Sequence, residues 1–97
     1  MLFRSGYHAE ALTVSSTKSL HGHAFGGAGG IELVATLLAM RHGVAPPTAN
    51  YLGADPDCNL DYAPNEPKPR RIEAALKESF AFGGLNVVLA LRRGVRL

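Results

Sequence analysis

With 97 residues and a formal charge of +2 at pH 7, the chain is too short for more than one domain. Its apolar fraction of 46% is that of a globular protein and excludes a wholly disordered one. The ten basic residues are scattered, which argues against a nucleic-acid interface, and the single cysteine, Cys58, excludes an internal disulfide.

In chain order, Met1 to Gly6 lacks a long apolar stretch, so a cytoplasmic protein without a secretory signal is expected. Residues 11–15 (Ala-Leu-Thr-Val-Ser) are short and β-leaning and predict a strand. Residues 21–30 hold five glycines, which predicts a tight turn or a close backbone approach. The pattern is then helical from Ala28 to His42. Ile31, Leu33, Val34, Ala35, Leu37, Leu38, Ala39 and Met40 cover nearly its whole circumference, which predicts a buried helix. Glu32 and Thr36 interrupt this apolar run and it is too short to span a bilayer, so no membrane insertion is expected. Arg41 and His42 suit the helix C-terminus, Gly43 suits the position after it, and Pro46-Pro47 forbids continuation. Residues 48–71 are turn-rich. Residues 72–80 and 85–92 predict two strands, with Gly83-Gly84 as the hairpin signal between them.

The fold class is α/β: a strand, a buried central helix, a long loop and a closing β-hairpin, forming one domain over 1–97 with a poorly defined start (1–9) and a tail (94–97). A helix without a polar stripe needs cover on all sides, and this chain has too little material to supply it. It is therefore expected to be incomplete as a stand-alone domain: part of something larger, or an obligate oligomer.

The chemistry-bearing residues cluster around the glycine-rich turn. Glu32 lies near the start of the apolar helix, where a carboxylate needs a cation or the helix dipole; Lys18 is the nearest plausible cation in sequence. His23, at a helix start, can donate a hydrogen bond to a developing oxyanion, and Lys18 can orient it or tune it. The bland alternative is two surface residues flanking a turn. His21 and His23 make a poor metal pair, because no third ligand is evident. The glycines do not cradle a phosphate: Lys18 precedes them rather than following the last one, and no G-x-G-x-x-G register exists. Cys58 lies beside Asp57, the wrong neighbour for an activated thiolate, and is read as a spectator.

These residues resemble the C-terminal part of a β-ketoacyl-acyl-carrier-protein synthase, a condensing enzyme of the thiolase-like superfamily. Lys18-Ser19-Leu20-His21-Gly22-His23 is similar to its K-x-x-x-G-H motif, and Gly26 to Glu32 to its glycine-rich helix start with the following acid. Residues 44–50 and 60–65 resemble its linker, and Ala75 to Asn86 its closing hairpin. The likeness runs over roughly residues 10 to 93.

The resemblance implies an acyltransferase of fatty acid or polyketide biosynthesis, catalysing decarboxylative Claisen condensation of malonyl-carrier protein with an acyl-enzyme thioester, without a cofactor or catalytic metal. It implies that His23 hydrogen-bonds the malonyl thioester carbonyl and that Lys18 holds the site's hydrogen-bond network. Glu32 would support that network or help bind a structural cation. Phe80, Phe82, Gly83, Gly84 and Asn86 would form the gating turn, with the Phe82 N–H in the oxyanion hole. The family's nucleophilic cysteine and first active-site histidine lie upstream of the matched segment, and neither has a counterpart here, so the chain is expected to be inactive alone. Two further departures sit beside the gate. Lys77-Glu78 stands where the family often carries Ser-Asn, and Ala81 where glycine is frequent. Expected partners are acyl carrier protein loaded with acyl or malonyl groups, and the N-terminal half of the synthase or a homodimer partner. Two rival readings remain. One is a non-catalytic carrier-docking or dimerisation module, motivated by Lys68, Arg70, Arg71, Arg92, Arg93 and Arg96. The other is a small hydrolase using Cys58 and His23.

Overall fold

The computed structural model of the chain describes residues 6–94, which divide into two compact units. The first comprises residues up to Gly22 with Ala45–Lys68; the second comprises His23–Val44 with the segment from Pro69 onward. Most of the expected start (1–9) and tail (94–97), Arg96 included, lies outside the described residues.

The first unit is largely irregular and is held by hydrogen bonds. A 3-10 turn, Gly6–Ala11, opens it. The strand expected over 11–15 is reduced to a single bridge, Thr13 with Asp61. Val14 N–H donates to the Asp61 carbonyl at 2.8 Å, but the ladder stops there. Two residues on, Ala63 turns away at φ 46°, and Pro64 has no N–H to offer. Residues 18–21, expected to follow a strand, instead form one helical turn, α1 (Lys18–His21). The turn-rich middle of the chain is ordered by side chains that substitute for a sheet. Thr48 N–H donates to the Ala63 carbonyl at 2.9 Å and its hydroxyl to the Tyr62 carbonyl at 2.6 Å. The Asn65 amide brackets Tyr51, accepting from its N–H and donating to its carbonyl, both at 2.9 Å.

Asp61 is the hub of this unit. Its carboxylate accepts from the Lys68 ammonium at 2.5 Å, from the Thr13 hydroxyl at 2.8 Å and from the Ala63 N–H at 3.1 Å. The Lys68 contact above all, with Thr13 and Ala63 behind it, lowers the Asp61 pKa from an ordinary 3.8 to about 2, against partial desolvation.

The second unit carries the regular structure. A 3-10 turn, Phe25–Gly27, leads into α2 (Ala28–His42), with the bounds the sequence predicts. Gly43 ends α2 in the left-handed conformation, φ 66°, and its N–H donates to the Ala39 carbonyl at 2.9 Å. The Arg93 guanidinium donates to the Met40 carbonyl, one of the helix's unpaired C-terminal groups. Two strands of two residues each, β1 (Val44–Ala45) and β2 (Lys68–Pro69), fall where the chain passes from one unit to the other. β3 (Ala74–Ala81) and β4 (Leu85–Arg92) form the antiparallel hairpin, in register from Ala74 opposite Arg92 to Ala81 opposite Leu85. β3 starts two residues later than predicted. The connection, Phe82–Gly84, needs positive φ at Gly83 (80°) and Gly84 (82°), which glycine adopts without steric cost.

α2 packs against β3. Of α2's residues, only Ala28 and Met40 are buried, while Ile31, Val34, Leu37 and Leu38 keep about half their surface. The helix that the sequence predicts to be buried is covered by a single hairpin on one side. This agrees with the expectation of a fold incomplete by itself.

Two outcomes are expected. Asp61→Asn lowers stability by ~1–2 kcal/mol at neutral pH, because the native carboxylate is held in its charged form. That stabilisation is present in full above pH ~4 and is lost as pH falls through about 2, so the difference between wild type and variant in thermal unfolding vanishes in acid. Gly83→Ala places a Cβ at φ 80° and costs ~1–2 kcal/mol, read by the same melts.

Candidate functional site

Seven of the eight residues singled out from the sequence belong to the second unit: His23, Glu32, Phe80, Phe82, Gly83, Gly84 and Asn86. Lys18 belongs to the first, where it is half-buried at the start of α1.

His23 is exposed, immediately before the 3-10 turn that leads into α2. Its Nδ1 accepts a hydrogen bond from the Phe25 N–H at 3.2 Å. An accepting Nδ1 carries no proton, so the neutral ring keeps its proton on Nε2. The imidazole is also stacked on the Phe25 ring, with centroids 5.0 Å apart and planes 12° from parallel. Phe25 itself sits at φ 47°, an unusual value for a bulky side chain. Strain of this kind collects at functional sites, where the surroundings over-determine it. The result is a histidine fixed in tautomer and orientation, offering one N–H donor.

Glu32 is the fifth residue of α2, and its carboxylate meets the Lys77 ammonium of β3 at 3.0 Å. The two side chains are 12% and 6% exposed, so the pair is largely shielded from water. Lys77 also donates to the Ser79 hydroxyl. A Cβ placed on Gly29 would lie 4.0 Å from Nζ, so the ammonium rests over the first turn of α2. Among the described residues Lys77 is the only buried polar or charged residue. Sequence reasoning noted Lys77 as a departure but missed it as a partner of Glu32. The available signal was strand alternation, which puts Lys77 on the same face of β3 as Ala75 and Ser79.

A structural cation at Glu32, one of the roles the resemblance implied, fits poorly here. The carboxylate already faces a buried ammonium, and a metal ion would have to share it with that charge. Among the described residues no group of three or more His, Cys, Asp or Glu is placed to hold a metal. Cys58 is an exposed free thiol at the end of the 3-10 turn Pro56–Cys58 in the first unit.

The turn Phe80–Asn86 tips the hairpin, with Phe80 opposite Asn86 across the ladder. Phe80 keeps 70% of its surface, and Phe82 is fully exposed. Of the basic cluster, Lys68 is paired with Asp61 and Arg71 with Glu73. Among the described residues, no helix is long and apolar enough to cross a membrane.

Comparison with known proteins agrees with the motifs. A family model described as the β-ketoacyl synthase C-terminal domain matches residues 1–52. The chain is 48% identical over 88 residues to nodulation protein E of Rhizobium meliloti, covering 91% of this chain and 22% of that protein. It is 49% identical over 88 residues to 3-oxoacyl-[acyl-carrier-protein] synthase 2 of Synechocystis sp., covering 91% and 21%. Among solved structures, it matches a chain of a type II polyketide synthase acyl-carrier protein in complex with its ketosynthase bound to the hexaketide. There the TM-score is 0.89 and the identity 41%, over 94% of this chain and 22% of that one. The chain thus spans about a fifth of the length of the relatives it matches. The K-x-x-x-G-H motif, the glycine-rich helix start, the hairpin and these matches together show that the chain belongs to the β-ketoacyl synthase C-terminal domain family.

Proposed function

We propose that this chain supplies the malonyl-handling side of a cytoplasmic β-ketoacyl-acyl-carrier-protein synthase, working with an upstream part that carries the nucleophile. The observation that carries this reading is the Phe25 N–H held by His23 Nδ1, which leaves Nε2–H as a fixed donor. In decarboxylation, the bond between the malonyl α-carbon and its carboxylate breaks and carbon dioxide leaves. The electron pair moves into a thioester enolate whose oxygen becomes negative. A donor already oriented toward that oxygen stabilises the charge as it develops, at no reorganisation cost. The enolate carbon then attacks the acyl-enzyme carbonyl, and the upstream thiolate departs.

Phe82, without cover among the described residues, would swing on Gly83 and Gly84 to admit and enclose the acyl group. Covalent loading needs an activated thiolate, which in this reading the upstream part supplies, so the chain alone is expected to turn nothing over. Its partners would be a carrier protein bearing the acyl or malonyl group and the upstream part of the synthase. The exposed apolar faces of α2 and the hairpin support the second.

With the upstream part present, His23→Ala is expected to lower malonyl decarboxylation ~100-fold or more, while acyl loading stays within about twofold of wild type. Radiolabelled carbon dioxide release and acyl-enzyme mass spectrometry read the two steps; equal loss in both contradicts the assigned role. Expressed by itself, the chain is expected to self-associate, and to stop doing so when the upstream part is co-expressed. A well-folded monomer by sedimentation contradicts this.

A further inference from the structure

We infer that Lys77 is a positioning residue, an internal cation that fixes the gating turn relative to the helix start carrying His23. The inference rests on the proposed function for its catalytic meaning, but its geometry stands apart from it. Lys77 lies near the middle of β3, five residues before Phe82. Its ammonium is buried over Gly29 and Glu32 at the start of α2, which the 3-10 turn Phe25–Gly27 joins to His23. Every member of this chain of contacts lies in one compact unit.

The hairpin side is tied to α2 by polar contacts at two places: the Arg93 guanidinium on the Met40 carbonyl at the helix C-terminus, and the Glu32–Lys77 pair near its start. An ion pair at 3.0 Å between two shielded side chains is far more sensitive to distance than an apolar contact or a solvated pair. Ser79, two residues along the same strand face, takes a second proton of the ammonium and fixes its direction. β3 is therefore registered against the start of α2 by this contact, and the strand continues directly from it into Phe80, Ala81 and Phe82. The same ammonium supplies the positive charge at Glu32 that a bound ion would otherwise bring.

The test compares wild type with Lys77→Ala, Lys77→Met and Glu32→Gln in the full chain joined by its upstream part. Deuterium uptake is followed separately over residues 78–86 and over 33–42. The expected result for Lys77→Ala is at least a tenfold faster exchange in 78–86, with 33–42 changed less than threefold. Methylammonium at millimolar concentration should restore the protection in Lys77→Ala and have no effect on Lys77→Met, whose longer side chain fills the space. In kinetics, kcat for malonyl decarboxylation should fall about tenfold with KM nearly unchanged.

Uniform loosening of both segments, or global unfolding of both Lys77→Ala and Glu32→Gln, overturns the inference in favour of a plain stabilising pair. Unchanged exchange in 78–86 overturns it as well. Absence of decarboxylation in wild type overturns the proposed function instead, and leaves the exchange result standing.

Discussion

The Glu32–Lys77 contact is the interaction on which the second unit depends. It is the point where a charged helix residue and a charged strand residue leave water together. Desolvating two ions is expensive, and their attraction offsets that cost only when geometry and further hydrogen bonds are good. Ser79 provides the further bond on the lysine side. Removing one partner leaves the other charge buried without compensation, and the chain nearest to it opens to hydrate it. An apolar pair of similar volume could match the pair's stability, but it would not register strand against helix.

The two units solve the same problem by different means. The second unit uses a helix and a hairpin, whose backbone groups satisfy each other. The first has almost no regular structure, so its backbone groups must be satisfied by side chains. Thr48, Asp61 and Asn65 do this work, and Asp61 joins three separate stretches through one carboxylate. Among the described residues, the largest buried apolar side chain is Met40, and the others are alanines. A core of that size contributes little, which is why directional bonds dominate the first unit and why the second leaves its apolar faces open.

Much of this was legible in the sequence, for identifiable reasons. Ala28–His42 was predicted to the residue because a long apolar run ends at Arg-His-Gly, where dipole and left-handed cap agree. Leu85–Arg92 and the turn before it were readable because two adjacent glycines allow only a few connections. The segment 11–15 was misread as a strand, since β-leaning composition does not reveal whether a partner can continue the ladder; here Ala63 and Pro64 stop it. The importance of His23 was visible from its spacing to Lys18, but its tautomer was not, because that depends on an unusual backbone angle at Phe25. Lys77 as a partner of Glu32 was hidden by a separation of 45 residues, across which local pattern carries no signal.

The β3–β4 hairpin has a further consequence. Among the described residues it is a sheet of two strands, so each strand pairs along one side only. The other side of each presents a row of backbone donors and acceptors eight residues long, with no Gly and no Pro to interrupt it. Such an edge accepts any extended segment of suitable length, whatever its sequence. A strand tethered in the same folding unit reaches such an edge ahead of any other because its local concentration is high. For a chain translated or cleaved separately, the outcome becomes a race. The matching strand must arrive before another copy does, and the winner depends on concentration and on chaperone access rather than on which pairing is the more stable.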